Sequence, residues 1–191
     1  MGFLVWTSSP VGNACRLEPI ENVERFRDLD RGVSFGKAFP TDALARMSKS
    51  FKKDTRLIDD VTNGDGLKVC SKRLVEFLQA KKLKNVEYLS LTILDHKGKV
   101  ASAEYSIVHP VVLQDALDLA ASKPHYNAIR PKDIDEVEEL VIDEKRVDPK
   151  VSVFRLAGLT QPVIVRRSLA DEIAAAGFIG SYFLSLDRYG Q

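Results

Sequence analysis

The side chains best suited to chemistry in this sequence are three histidines, two cysteines and two clusters of like charge. Nucleophilic catalysis needs a nucleophile, a base to take its proton and a group that orients the base, and that base is usually histidine. His96 falls in a turn between two β-type runs, His109 directly before Pro110 and His125 directly after Pro124. None lies in a G-x-S-x-G, H-E-x-x-H or C-x-x-C setting. A catalytic site would have to be assembled by the fold from distant residues, with His109, His125 and an acidic side chain as its candidates. Cys15 and Cys70 stand alone and read as buried, inert thiols of a reducing compartment, although spacing by itself leaves one disulfide open.

Phosphate and metal chemistry fail at named residues. There is no G-x-x-x-x-G-K-[ST], and Gly64-Asp65-Gly66 precedes a strand-like run where a phosphate loop must feed a helix N-terminus. A calcium loop opening at Asp59 would place Val61 and Cys70 where oxygen ligands are required. No catalytic, cofactor-binding or metal-ligating residue is therefore assigned, and no cofactor is expected.

The charge clusters are the remaining candidates, as partner-binding surfaces. Arg46, Lys49, Lys52, Lys53 and Arg56 form a basic ridge that suits an acidic partner or a phosphate backbone. Asp133, Asp135, Glu136, Glu138 and Glu139 form an acidic run that would steer a basic partner and penalise wrong ones. Each also reads as an ordinary solvated face. Over the whole chain of 191 residues, 28 basic side chains balance 27 acidic ones, leaving a net charge of +1. That balance argues against nucleic acid or an anionic membrane as the partner. The opening residues carry no basic region and only a short apolar run, and no stretch approaches the roughly 20 apolar residues of a membrane span, so a cytoplasmic protein is expected. The length suits a single α+β domain over residues 1–191, and the oligomeric state stays open, a homodimer included.

The elements that must position these groups follow from periodicity and turn chemistry. A first strand is expected over Phe3–Trp6. Pro40-Thr41-Asp42 opens a helix with an apolar stripe of Ala43, Leu44, Met47 and Phe51, and the basic ridge lies along it. Leu67–Cys70 reads as a strand, Ser71 as the N-cap of a helix over 72–82, and Val86–Leu94 with Val100–Val108 as a hairpin turning at Gly98. A short helix is expected over Val112–Ala121 and a loop over 122–135. Strands follow at Val137–Ile142, Val151–Leu156 and Val163–Val165. Ser168 reads as the cap of a helix ended by Gly177, before a last strand over Tyr182–Leu186. At a constant offset of 95, Leu74, Ala80 and Leu89-Ser90-Leu91 match Leu169, Ala175 and Leu184-Ser185-Leu186. Duplication and coincidence both account for that echo.

Three stretches carry a family resemblance. Leu67-Lys-Val-Cys-Ser-Lys-Arg-Leu74 resembles the strand, Ser, helix entry of the bacterial immunity proteins named after a myxobacterial prototype, formerly a domain of unknown function. Val86–Ile93 with Ala103–Pro110 is similar to that family's central hairpin. Phe154-Arg-Leu-Ala, Val163–Ala170 and Gly177-Phe-Ile-Gly-Ser-Tyr-Phe183 resemble its C-terminal signature, with Ile179 where Thr is common and His109 where Asn is often seen. The similarity covers roughly residues 55–187. It implies a mixed or antiparallel sheet with a central hairpin and short helices packed on it. It also implies a non-catalytic cytoplasmic protein that neutralises a cognate toxin in interbacterial competition. The alternatives are an enzyme centred on His109 and His125, or a generic protein-interaction module.

Overall fold

The structure, a computed structural model, describes residues 2–131 and 133–190. Its strands are β1 (Phe3–Ser8), β2 (Leu44–Arg46), β3 (Asp60–Val61), β4 (Lys68–Ser71), β5 (Val86–Leu94), β6 (Val100–Pro110), β7 (Leu113–Gln114), β8 (Pro124–Tyr126), β9 (Ile134–Val137), β10 (Val153–Leu156), β11 (Val163–Arg166) and β12 (Ser181–Ser185). Its helices are α1 (Phe26–Arg31), α2 (Lys72–Ala80), α3 (Leu119–Ser122) and α4 (Arg167–Ala175). The strands form two five-stranded sheets, ordered β12-β1-β11-β10-β7 and β2-β5-β6-β4-β3, with β8 and β9 paired separately. The α+β class and the central hairpin β5–β6 agree with the sequence, and Gly98 takes the positive φ of 77° at the turn. Among the described residues no helix is long and apolar enough to cross a membrane.

The echo at offset 95 is structural. β4 and β11, α2 and α4, and the first residues of β5 and β12 are all separated by that interval. Left-handed backbone recurs with it, at Lys82 and Gly177 and again at Asn85 and Gly180. The pairing recurs too. In one sheet Val108 of β6 lies opposite both Lys68 and Tyr88, and in the other Trp6 of β1 lies opposite both Val163 and Phe183. The chain thus contains one β-β-α-β unit twice, and β1 gives the second unit the central strand that β6 gives the first.

Three apolar clusters hold this arrangement. The shared one draws on both sheets and both long helices, with Trp6, Cys70, Leu74, Leu78, Val108, Val153, Val163, Leu169 and Ile173 buried together. The outer face of the first unit packs on residues of the N-terminal third, among them Leu17, Leu29, Ala45 and Met47. The outer face of the second packs on Ala116, Leu117, Leu140, Ile142 and Val147. Each buried Leu or Ile contributes about 1.5–3 kcal/mol relative to an exposed one.

Several expected elements differ. The helix from Thr41 to Phe51 is a strand followed by a single 3-10 turn over Lys49–Phe51, because Leu44–Arg46 pairs in parallel with β5 from Thr92 to Leu94. Ala43, Ala45 and Met47 are buried with a period of two, while Phe51, assigned to the helical stripe, is exposed. The helix expected over Val112–Ala121 gives way to β7, which pairs in parallel with β10, and to the short α3 capped by the Asp118 carboxylate. The loop over 122–135 holds β8 and the start of β9, and the strand expected over Val137–Ile142 ends at Val137. Ser71 caps α2 by accepting from the Leu74 N–H, but Ser168 lies inside α4, whose cap position falls on Arg166.

Candidate partner-binding surface

The acidic run lies on and beyond a hairpin built from the residues between β8 and β9. Ile134 and Val137 are buried and anchor its base in the second unit's outer cluster. Ser122, fully buried, ties that base together: its hydroxyl donates to the Val141 carbonyl and accepts from the Val141 N–H, and its carbonyl accepts from Glu138 and Glu139. Asn127 shapes the tip by accepting from the Ile129 and Arg130 N–H groups and donating to Asp135 at 3.0 Å. Ile129 stands 90% exposed at that tip and Tyr126 51%. An Ile side chain presented to solvent on the same hairpin as an exposed aromatic ring has the composition of an interface anchor.

Much of the hairpin's negative charge is used internally. Lys123 lies 2.9 Å from Glu138 and holds its carboxyl below the usual range, with His125 also at 3.8 Å. Arg130 pairs with Asp133 at 3.1 Å. Among the described residues Glu136 and Glu139 form no ion pair, although Glu139 adds to the negative field on Lys123. Beside the hairpin runs a groove of about 820 Å³ lined by Arg27, Asp30, Arg31, Val33, Leu113 and Asp133. Val33 and Leu113 are exposed there, at 40% and 46%.

The basic ridge does not lie along a helix. Arg46 ends β2 and is paired with Glu21 at 2.8 Å, Lys49 starts the 3-10 turn, and Lys53 follows it. These residues belong to the segment over the first unit, whereas the acidic hairpin packs on the second, so the two clusters are not joined into one patch. Nor are the histidines. His109 is fully buried in β6, its Nε2 3.0 Å from the Val33 carbonyl and its Nδ1 without a partner among the described residues, and burial holds its pKa below the ordinary value. His125 is exposed on β8 beside Glu138. Among the described residues no three His, Cys, Asp or Glu side chains converge as a metal ion requires.

The family now follows from the sequence as a whole. A profile described as "Immunity protein family (Imm11)" matches residues 17–187. The chain belongs to the Imm11 immunity protein family. Among curated proteins none matches this sequence. The matched span takes in both β-β-α-β units and the hairpin, but not β1. Membership carries a role in toxin immunity, and with it a toxin as the partner.

Sequence reasoning missed a second polar cluster, within the Imm11 fold's interior. Asp60, fully buried on β3, accepts from Trp6 Nε1 at 2.8 Å, Ser8 Oγ at 2.6 Å and Ser181 Oγ at 3.1 Å. Lys68, on β4, donates to Ser8 Oγ at 3.1 Å and is only 4% exposed. These contacts pin the first unit's β3 and β4 to β1 and β12 of the second. The available signal was a lysine within the apolar run Leu67-Lys-Val-Cys70, where the strand period turns it inward.

Proposed function

We propose that this chain neutralises a cognate bacterial toxin by stoichiometric binding, without catalysing a reaction, and that the hairpin of β8 and β9 is part of the surface that meets the toxin. The observation that carries the surface is the exposure of Tyr126 and Ile129 on the same hairpin that bears Glu136 and Glu139, which form no ion pair among the described residues. Apolar anchors supply affinity by desolvation, and the surrounding carboxylates favour a toxin face with basic side chains and speed encounter with it. The groove beside the hairpin extends the surface, and its arginines Arg27 and Arg31 call for an acidic or carbonyl-rich rim on the partner. Residues 1–191 act as one domain in this reading, in the cytoplasm where the toxin acts. The basic cluster of Arg46, Lys49 and Lys53 is secondary, since Arg46 is already paired.

The experiment is co-expression with the product of the neighbouring gene, followed by measurement of affinity and of cell survival. Changing Asp135, Glu136, Glu138 and Glu139 together to Lys, or Ile129 to Asp, is expected to weaken binding roughly 10- to 100-fold. Unchanged affinity in both variants removes the hairpin from the interface. Failure of the chain to bind or to protect against that toxin overturns the immunity reading for the pair tested.

A further inference from the structure

The repeat supplies a comparison within the molecule. By strand register, the counterparts of Asp60 and Lys68 are Val153 and Val163, and those of Trp6, Ser8 and Ser181 are Val108, Pro110 and Val86. One junction between the two units is therefore closed by apolar side chains, and its counterpart by a buried carboxylate, a buried ammonium and two hydroxyls. At the counterpart positions the same kind of junction is closed without any charge. Apolar packing serves the same place, and replacing buried ionic groups by packed apolar ones is often neutral or stabilising.

Lys68 is also incompletely satisfied. An ammonium has three N–H donors, and the hydrogen bond it makes is to Ser8 Oγ, whose own proton goes to Asp60. Among the described residues no carboxylate oxygen lies within 4.0 Å of its Nζ. Asp60 is linked to it only through Ser8. The lysine lines a pocket of about 190 Å³ together with Ser8, Thr62, Asn63, Gln161 and Tyr189.

We propose that this pocket is a binding site for a small monocarboxylate, held by the Lys68 ammonium. The space equals that of about six waters at roughly 30 Å³ each, enough for an acid of a few carbons. A single cation whose charge is shared with nearby Asp60 suits a monoanion and disfavours a phosphate dianion. Burial lowers the Lys68 pKa, and a bound carboxylate would reverse that by favouring the charged form. The site is separate from the hairpin surface and does not depend on the toxin reading.

Trp6 reports on it directly, being the only tryptophan, bonded to Asp60 and part of the pocket wall. Acetate and butyrate are titrated into the full chain against sodium chloride at constant ionic strength, with Trp6 fluorescence as the readout. A saturable change with a dissociation constant on the order of 1 mM is expected, the affinity of a small fragment. It should be absent from Lys68→Met. An unresponsive wild-type protein, or an equal response in folded Lys68→Met, overturns the proposal. Should Lys68→Met fail to fold, the thermal midpoint of the wild-type chain decides: a rise with butyrate beyond that with chloride supports the site, and equal midpoints overturn it.

Discussion

The two glycines of the Gly177-Phe-Ile-Gly180 turn should respond very differently to the same change. Both have positive φ, 69° at Gly177 and 101° at Gly180. A Cβ at Gly177 would meet nothing within 4 Å, so Gly177→Ala carries only the cost of left-handed backbone, about 1–2 kcal/mol. A Cβ at Gly180 would lie 2.2 Å from the Asp60 carbonyl oxygen and 2.8 Å from Ile58 Cδ1. The oxygen is backbone and cannot swing aside. Relief requires moving β3 away from β12, which breaks the Asp60 N–H bond to the Ile179 carbonyl at 3.0 Å and disturbs the three donors on the Asp60 carboxylate. Backbone strain together with these losses amounts to about 3–5 kcal/mol. Urea unfolding followed by circular dichroism reads the difference. With a slope of about 3 kcal/mol/M, Gly180→Ala should lower the midpoint by more than about 1 M, and Gly177→Ala by no more than half as much. Equal midpoints for the two variants would refute the close approach of β12 to β3.

Three further outcomes are expected. Burial pushes the Asp59 carboxyl up, but Arg73, the Ile179 N–H and the Ser71 hydroxyl outweigh it and leave its pKa lowered. Its contribution is therefore present above the ordinary carboxylate range and lost as pH falls through the depressed value, so Asp59→Asn should flatten the acid limb of a pH–stability curve; an unchanged limb refutes the assignment. For Lys68 the direction is the same but the window is alkaline, because burial lowers its pKa. The unfolded chain holds that proton more tightly, so wild-type stability relative to Lys68→Met should rise as pH climbs towards 10.5, and a falling difference would contradict it. Both cysteines are free and buried, with the Cys15 thiol pushed up to about 11, so neither should react with a thiol reagent until the chain unfolds.

What was legible in the sequence tracks what local chemistry determines. The hairpin β5–β6, the cap at Ser71 and the left-handed end at Gly177 rest on neighbours in the chain, and each lies where its residues indicate. The segments over the outer faces were not legible. Residues 43–47 bury Ala43, Ala45 and Met47 with a period of two that only becomes a strand against the edge of β5, and Leu113–Gln114 only against β10. The acidic run was visible as charge, but its internal neutralisation by Lys123 and Arg130 depends on how the hairpin folds back on itself. The Asp60 cluster joins residues 52 to 121 positions apart, beyond the reach of any local pattern.

The borrowed strand has a consequence for synthesis. The first unit finds its central strand in β6, next in the chain to β5, and its sheet can form as soon as residue 110 has emerged. The second must hold a place for β1, translated long before β11 and β12, and Phe3-Leu-Val-Trp6 is buried only between those two. At about 5–20 residues per second, that apolar strand waits on the order of ten seconds or more without its partners. In that interval it is an open edge, available to a chaperone or to the β1 of another nascent chain.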